Sequence, residues 1–257
     1  MKGLHGKVAI VTGGGAGIGR ATCDAFVSYG TSVVIAEINC ESGLETEKLL
    51  KQRGGRAIFV KTDISDELSV ESMISQTITK FGQIDILINN AACFIFKGVE
   101  ASIEDWEKIF SVNIIGYAMC IKHIVPQMRK VGRGAIVNVC SMSAFIAQPS
   151  FLTYSTTKGA LATMTKCLAL DLAKDNIRVN SVCPGTVWTK SNEEFIKREF
   201  GLNRQEADKH PKIGGFHMLG RTADPSEIAE AIMFLASDSA SFITAENLMV
   251  DGGCTAQ

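Results

Sequence analysis

No two of the eight cysteines (Cys23, Cys40, Cys93, Cys120, Cys140, Cys167, Cys183 and Cys254) stand at C-x-x-C spacing, and none of the four histidines clusters with them. No metal site is expected. A disulfide framework does not suit a chain this long that opens on the short polar segment Met1–Lys7 rather than on a signal peptide. The thiols are expected to be reduced and buried as small hydrophobes, which implies a cytoplasmic compartment. Charge of one sign is also missing: 26 Lys and Arg against 27 Asp and Glu leave a net charge of −1. No global positive field therefore argues for nucleic acid or an anionic membrane. No uninterrupted apolar stretch approaches the roughly 20 residues of a membrane helix. Repeats, low-complexity tracts and linkers are absent too, so residues 1–257 are expected to form one domain.

What is present is a large apolar fraction, 46%, arranged in short β-branched runs that alternate with helical patterns. Strands are expected at Val8–Thr12, Ser32–Ala36, Ala57–Lys61, Asp85–Ile88, Ala135–Cys140, Arg178–Val182 and Leu248–Val250. Helices are expected at Gly17–Tyr29, Ser42–Arg53, Asp66–Phe81, Ile103–Arg129, Leu152–Asp175 and Pro225–Ser237, with start signals at Ser102/Asp105 and Asp224/Glu227. Continuous apolar strands between helices indicate an α/β fold, a doubly wound and mostly parallel sheet covered on both faces. Residues 187–221 break the alternation and are expected to be an irregular segment covering the substrate.

The first strand runs into Thr12-Gly13-Gly14-Gly15-Ala16-Gly17-Ile18-Gly19 and then into a helix. Glycines let the backbone turn and approach a pyrophosphate, and the helix start offers unpaired N–H groups. Alone, such a cluster is only a tight turn; its place between strand and helix supports a dinucleotide site. Glu37 ends the second strand, 18 residues after Gly19, where an acid can accept hydrogen bonds from the adenosine ribose and repel a 2′-phosphate. Ile38 and Asn39 follow it without a base, so NAD is preferred over NADP.

Tyr154 and Lys158 are four residues apart and share one helix face. A nearby ammonium favours the tyrosinate and is expected to lower the tyrosine pKa, so that Tyr154 can exchange a proton with an alcohol. Ser141, thirteen residues before Tyr154, can hold the substrate oxygen.

These residues, with Asp63, Asn89-Asn90-Ala91, Asn113, Tyr154-x-x-x-Lys158 and Pro184-Gly185, resemble the short-chain dehydrogenase/reductase family over nearly the whole chain. The resemblance implies a seven-stranded sheet, a homotetramer, and a hydride transfer between nicotinamide and a secondary alcohol or ketone. It places Asp63 and Ile64 at the adenine and Asn90 and Ala91 on the adenosine side of the cofactor. Thr12, Gly13, Gly15, Gly17, Ile18 and Gly19 form the phosphate loop, and Glu37 and Ile38 flank the ribose. Pro184, Gly185, Val187 and Thr189 lie toward the nicotinamide carboxamide, and Lys158 also holds the nicotinamide ribose. Asn113 would hold a water that links Lys158 to solvent. Ser143, Gln148, Phe94, Phe96, Phe145 and Trp188, with Phe195 on the irregular segment, are expected to line the substrate pocket beside Ser141 and Tyr154. The competing readings are a non-catalytic dinucleotide sensor or scaffold and an NADPH-dependent ketone reductase.

Overall fold

The computed structural model describes residues 1–257. Seven strands, β1 Val8–Thr12, β2 Ser32–Glu37, β3 Ala57–Lys61, β4 Ile86–Asn89, β5 Gly134–Val139, β6 Ile177–Pro184 and β7 Asn247–Val250, form one sheet in the order β3-β2-β1-β4-β5-β6-β7. Every neighbouring pair runs parallel, so the expected mostly parallel sheet is wholly so. Nine helices cross between the strands: α1 Gly17–Ser28, α2 Cys40–Gln52, α3 Glu67–Phe81, α4 Ile103–Phe110, α5 Tyr117–Val131, α6 Leu152–Leu172, α7 Lys190–Phe200, α8 Arg204–Lys209 and α9 Pro225–Ala236.

Successive strand residues face opposite sides, and both sides are buried. Ile10 joins Val34, Leu87 and Ile136 in one layer with Val70 of α3, Ile121 of α5 and Leu161 of α6. Its neighbours Ala9 and Val11 enter the other layer with Phe26 of α1 and Ile232 of α9. From β1 the chain winds outward to β2 and β3, then returns to β4 on the other side. That reversal opens a crevice beyond the carboxyl ends of β1 and β4, where ligands of such sheets bind.

The expected helix starts at Ser102 and Asp224 are capped. Asp105 N–H donates to Ser102 Oγ at 3.3 Å, and the Asp105 carboxylate accepts from Ser102 N at 2.9 Å. Glu227 accepts from Asp224 N at 2.8 Å.

Two expectations need correction, on the segment 187–221 and on the cysteines. The segment 187–221 is not irregular throughout, because it contains α7 and α8. Their starts carry ordinary capping chemistry: Thr189 Oγ1 accepts from Asn192 N, and Asn203 Oδ1 from Glu206 N. The helical run Ile103–Val131 is long and apolar enough, by length and composition, to cross a membrane. Its apolar side is core instead, with Tyr117, Cys120, Ile124 and Met128 wholly buried against the sheet and α6. This run is interrupted by a π-helical turn at Ser111–Gly116. Finally, Cys40 and Cys167 are exposed rather than buried.

Candidate active site

The β1–α1 loop is shaped by contacts that leave no room for side chains. Gly13 has φ +64°, and a Cβ there would lie 2.9 Å from Ala91 Cα. A Cβ on Gly19 would lie 2.1 Å from the Gly13 carbonyl, so only glycine lets α1 start this close to the strand it follows. Thr12 and Asn90 tie the loop to the end of β4. Thr12 Oγ1 accepts from Asn90 N at 2.9 Å and Ala91 N at 3.1 Å, and Asn90 Nδ2 donates to the Thr12 and Gly13 carbonyls. The start of α1 has neither a capping side chain nor an acid in its first turn. Its N–H groups and dipole end are therefore left for an anion, and these residues fit a dinucleotide pyrophosphate.

A groove of ≈ 480 Å³ runs from this loop past Glu37, Ile38, Asp63, Ile64, Asn90 and Ala91. The Glu37 carboxylate is held by two backbone donors, Gly15 N at 3.1 Å and Asn39 N at 3.0 Å. Arg20, the base nearest the loop, is spent elsewhere: its Nε donates to Gly15 O at 2.9 Å and its guanidinium pairs with Glu45 at 2.8 Å. The Asp63 carboxylate accepts from Ser65 N and Oγ, closing the turn after β3.

A second cleft, ≈ 400 Å³, continues the groove and shares Ile18, Asn90, Ala92, Phe94, Thr189 and Ser191 with it. Ser141, Tyr154 and Lys158 all line this cleft. Ser141 follows β5 and caps a short 3₁₀ turn, its Oγ accepting from Ser143 N at 3.1 Å. Tyr154 lies one helical turn before Lys158 on α6, and its ring is packed by Phe94 at 5.5 Å, Phe96 at 5.3 Å and Phe151 at 6.2 Å between centroids.

Here the expected electrostatics need revision. Burial raises the Tyr154 pKa above its ordinary value, more than the Ser141 hydroxyl lowers it. Lys158 Nζ lies 5.5 Å from the Tyr154 ring centre and donates to Val139 O at 2.8 Å, so its charge is not directed at the phenol oxygen. Burial also lowers Lys158 from 10.5 to about 8. Asn113, in the π-helical turn, uses its amide to clamp the chain after β4. Its Oδ1 accepts from Cys93 N at 2.8 Å, and its Nδ2 donates to Cys93 O and Thr157 Oγ1.

A family model described as Enoyl-(Acyl carrier protein) reductase matches residues 13–255. An uncharacterized oxidoreductase of Thermotoga maritima is 42% identical over 254 residues, covering 98% of this chain and 97% of that protein. The chain belongs to the short-chain dehydrogenase/reductase family. A 2,5-dichloro-2,5-cyclohexadiene-1,4-diol dehydrogenase of Sphingobium indicum is 36% identical, with both chains covered in full. Among solved structures, a 7α-hydroxysteroid dehydrogenase complexed with NADH and 7-oxo glycochenodeoxycholic acid superposes with a TM-score of 0.90 at 32% identity, covering 97% of this chain and 94% of that one. As a member of the short-chain dehydrogenase/reductase family, the chain is an oxidoreductase with a nicotinamide dinucleotide cofactor.

The fold gathers the residues singled out from the sequence unevenly. Gly13, Gly17, Ile18, Glu37, Ile38, Asp63, Ile64, Asn90, Ala91 and Thr189 line the groove, while Pro184, Gly185 and Val187 line the cleft beyond it. Thr12 is buried beneath the loop, and Gly15 and Gly19 shape it without lining the groove. Phe94, Phe96 and Phe195 enter the cleft; Ser143, Phe145, Gln148 and Trp188 do not. Thr189 N donates to Val187 O at 2.9 Å, a three-residue turn with Trp188 at its apex; Val187 and Thr189 line the cleft and Trp188 lies outside it. Its indole packs beside Ile196, Ala207 and Ile213 and carries the Arg204 guanidinium 5.9 Å above its ring. Ser143 donates to Gln148 Oε1 at 2.6 Å, so these two polar groups satisfy each other beside Ser141. Four residues of α7 were missed: Ser191, Asn192, Glu194 and Arg198 reach the cleft. The Thr189 cap announces their helix, but its polar sequence obscures it.

Proposed function

We propose that this oxidoreductase is NAD-dependent and moves a hydride between nicotinamide and a secondary alcohol or ketone, with Tyr154 as acid/base. The observation that carries the reading is the junction itself: the cleft holding Ser141, Tyr154 and Lys158 opens into the groove that suits the dinucleotide. When bound, the nicotinamide supplies the hydride acceptor or donor. The glycine-loop N–H groups hold its pyrophosphate, and the Glu37 carboxylate accepts from the adenosine ribose hydroxyls. Asp63 and Ile64 flank the adenine, with Asn90 and Ala91 alongside. Lys158 and Tyr154 hold the nicotinamide ribose, and Thr189 and the Pro184–Val187 stretch face the carboxamide. Ser141 Oγ donates to the substrate oxygen. Tyr154 takes the hydroxyl proton in oxidation and returns it in reduction. For this, Lys158 Nζ turns from Val139 O toward the phenol, and its charge then offsets the burial that holds Tyr154 protonated. The Asn113 turn completes the relay by holding a water behind Lys158.

The substrate is a secondary alcohol with a ring or apolar body. Phe94, Phe96 and Phe195 form the apolar wall, and the ring diol and 7-oxo bile acid in the names of the two relatives support this reading. In an NADH-absorbance assay over a panel of secondary alcohols, cyclic substrates are expected to outperform 2-propanol. Phe94→Ala should change the ratio of kcat/KM between large and small substrates by more than it changes NADH binding, since Phe94 borders both the cleft and the groove. Equal losses for all substrates would mark Phe94 as structural.

The assembly is a homotetramer built partly through α5 and α6, between which Pro126, Met164 and Leu168 line a surface groove floored by the core residues Ile121, Val125 and Leu172 and shared with Lys122 and Arg129. Light scattering at micromolar concentration should give four times the 27.6 kDa chain mass. A monomeric mass would contradict this.

A further inference from the structure

Lys158 is 2% exposed and has no carboxylate partner; Val139 O, at 2.8 Å, is the protein acceptor for its Nζ. Its ammonium is flanked by two aromatic rings, Tyr154 at 5.5 Å and Tyr117 at 6.0 Å from Nζ to ring centre. Tyr117 comes from α5, on the core side of the site, and is wholly buried. Its hydroxyl finds no hydrogen-bond partner among the protein atoms. Packing alone does not explain a tyrosine there. Phenylalanine fills nearly the same space without the desolvation cost of a buried, unpaired hydroxyl. The titratable groups around the two residues are Tyr154 on α6, Cys140 after β5, Cys120 on α5 and Cys183 on β6, with no carboxylate among them.

We propose that Tyr117 is a positioning residue for Lys158: its ring and hydroxyl steady the charged form of the lysine, on which proton transfer by Tyr154 depends. The inference rests on the catalytic reading above. The ring presents its negative face at the outer limit of cation–π range. The hydroxyl supplies a dipole in a socket otherwise poor in polar groups, where such dipoles act strongly. Because burial already brings Lys158 down to about 8, a modest change in its surroundings falls within the working pH range.

Tyr117→Phe is the test, because it keeps the ring and the packing. Without the hydroxyl, Lys158 gives up its proton at lower pH and Tyr154 ionises with more difficulty. The pH profile of kcat/KM for alcohol oxidation should therefore lose height at its maximum, with each limb displaced by about 0.5–1 unit. In apoenzyme carrying isotope-labelled lysine, the Lys158 NMR titration midpoint, assigned with Lys158→Met, should fall by a similar amount. A superimposable pH profile and an unmoved midpoint would overturn the proposal. A shifted midpoint in an enzyme whose Tyr154→Phe variant stays active would instead sink the catalytic reading and leave the Tyr117–Lys158 coupling standing.

Discussion

Tyr154→Phe should lower turnover by about 10²–10⁴-fold, the range that general acid–base catalysis contributes, while weakening NADH binding only by the one ribose hydrogen bond its hydroxyl makes, about 2- to 10-fold. The substitution keeps the ring that Phe94, Phe96 and Phe151 pack against, and it deletes the hydroxyl that carries the transferable proton. Binding measured by NADH fluorescence and turnover measured by absorbance separate the two effects. Near-normal turnover would rule out Tyr154 as the acid/base. Lys158→Met, in the same experiment, has an opposite consequence for stability. Burial holds the Lys158 pKa near 8 in the fold, against 10.5 in an exposed chain. The unfolded state therefore binds this proton more tightly. The charge costs stability in full below pH 8, and the cost fades as pH rises from 8 to 10.5. A depression of this size corresponds to roughly 3 kcal/mol. Methionine fills a similar volume without the charge, so the Lys158→Met apoprotein should melt higher than the parent at pH 7 while losing turnover and cofactor affinity. Such a trade would identify Lys158 as a residue kept at the expense of the core it sits in. A lower melting temperature would show that the hydrogen bond to Val139 O outweighs the burial of the charge.

The parts of this site that are legible in the sequence are those whose chemistry is local. The glycine loop is a turn problem solved within Thr12–Gly19. Tyr154 and Lys158 share a face because four residues make about one helical turn. Glu37 reads as a ribose acid because a strand ends there. These residues do come together in the groove and cleft. Contacts decided by tertiary packing were not legible. Trp188 looks like a pocket aromatic by its neighbours Val187 and Thr189, yet the tight turn it occupies leaves it outside the cleft, beside Ile196, Ala207 and Ile213. Phe145 and Gln148 lie close in sequence to both Ser141 and Tyr154, yet neither lines the cleft. The α7 helix is hard to see because Lys190–Phe200 is mostly charged and buries only Ile196. The depth of Lys158 was missed for a different reason. Spacing says which groups are neighbours, but it says nothing of the desolvation that raises Tyr154 and lowers Lys158. The Lys158 ammonium pointing to a backbone carbonyl, and Tyr117 behind it, belong to the same class of fact.

Cofactor choice is where a small change should have a large effect. Glu37 sits at the carboxyl end of β2 with its carboxylate fixed by Gly15 N–H and Asn39 N–H, and it lines the groove together with Ile38. Held there, it can accept from both ribose hydroxyls, and it meets a 2′-phosphate with like charge. It forms no ion pair: Arg20 is committed to Gly15 O and Glu45, and Lys61, in register with it on β3, does not bond its carboxylate. Ile38 is 57% exposed, so an arginine at that position can reach along the groove without burying its charge or displacing the core. In the double variant Glu37→Ser/Ile38→Arg, the repulsion is removed and a charge-assisted partner for the phosphate is added. Each change is worth about 1.5–3 kcal/mol for a group in hydrogen-bonding contact. Together they should move the NAD:NADP ratio of kcat/KM by about two to four orders of magnitude toward NADP. The single variants divide the effect. Glu37→Ser should mainly weaken NAD by losing the ribose acceptor, and Ile38→Arg alone should help NADP little while the carboxylate remains. Steady-state kinetics with both cofactors at saturating alcohol checks each step. If the parent enzyme uses NAD and NADP equally well, Glu37 is not the discriminating group, and its two backbone hydrogen bonds serve only to brace the glycine loop against β2.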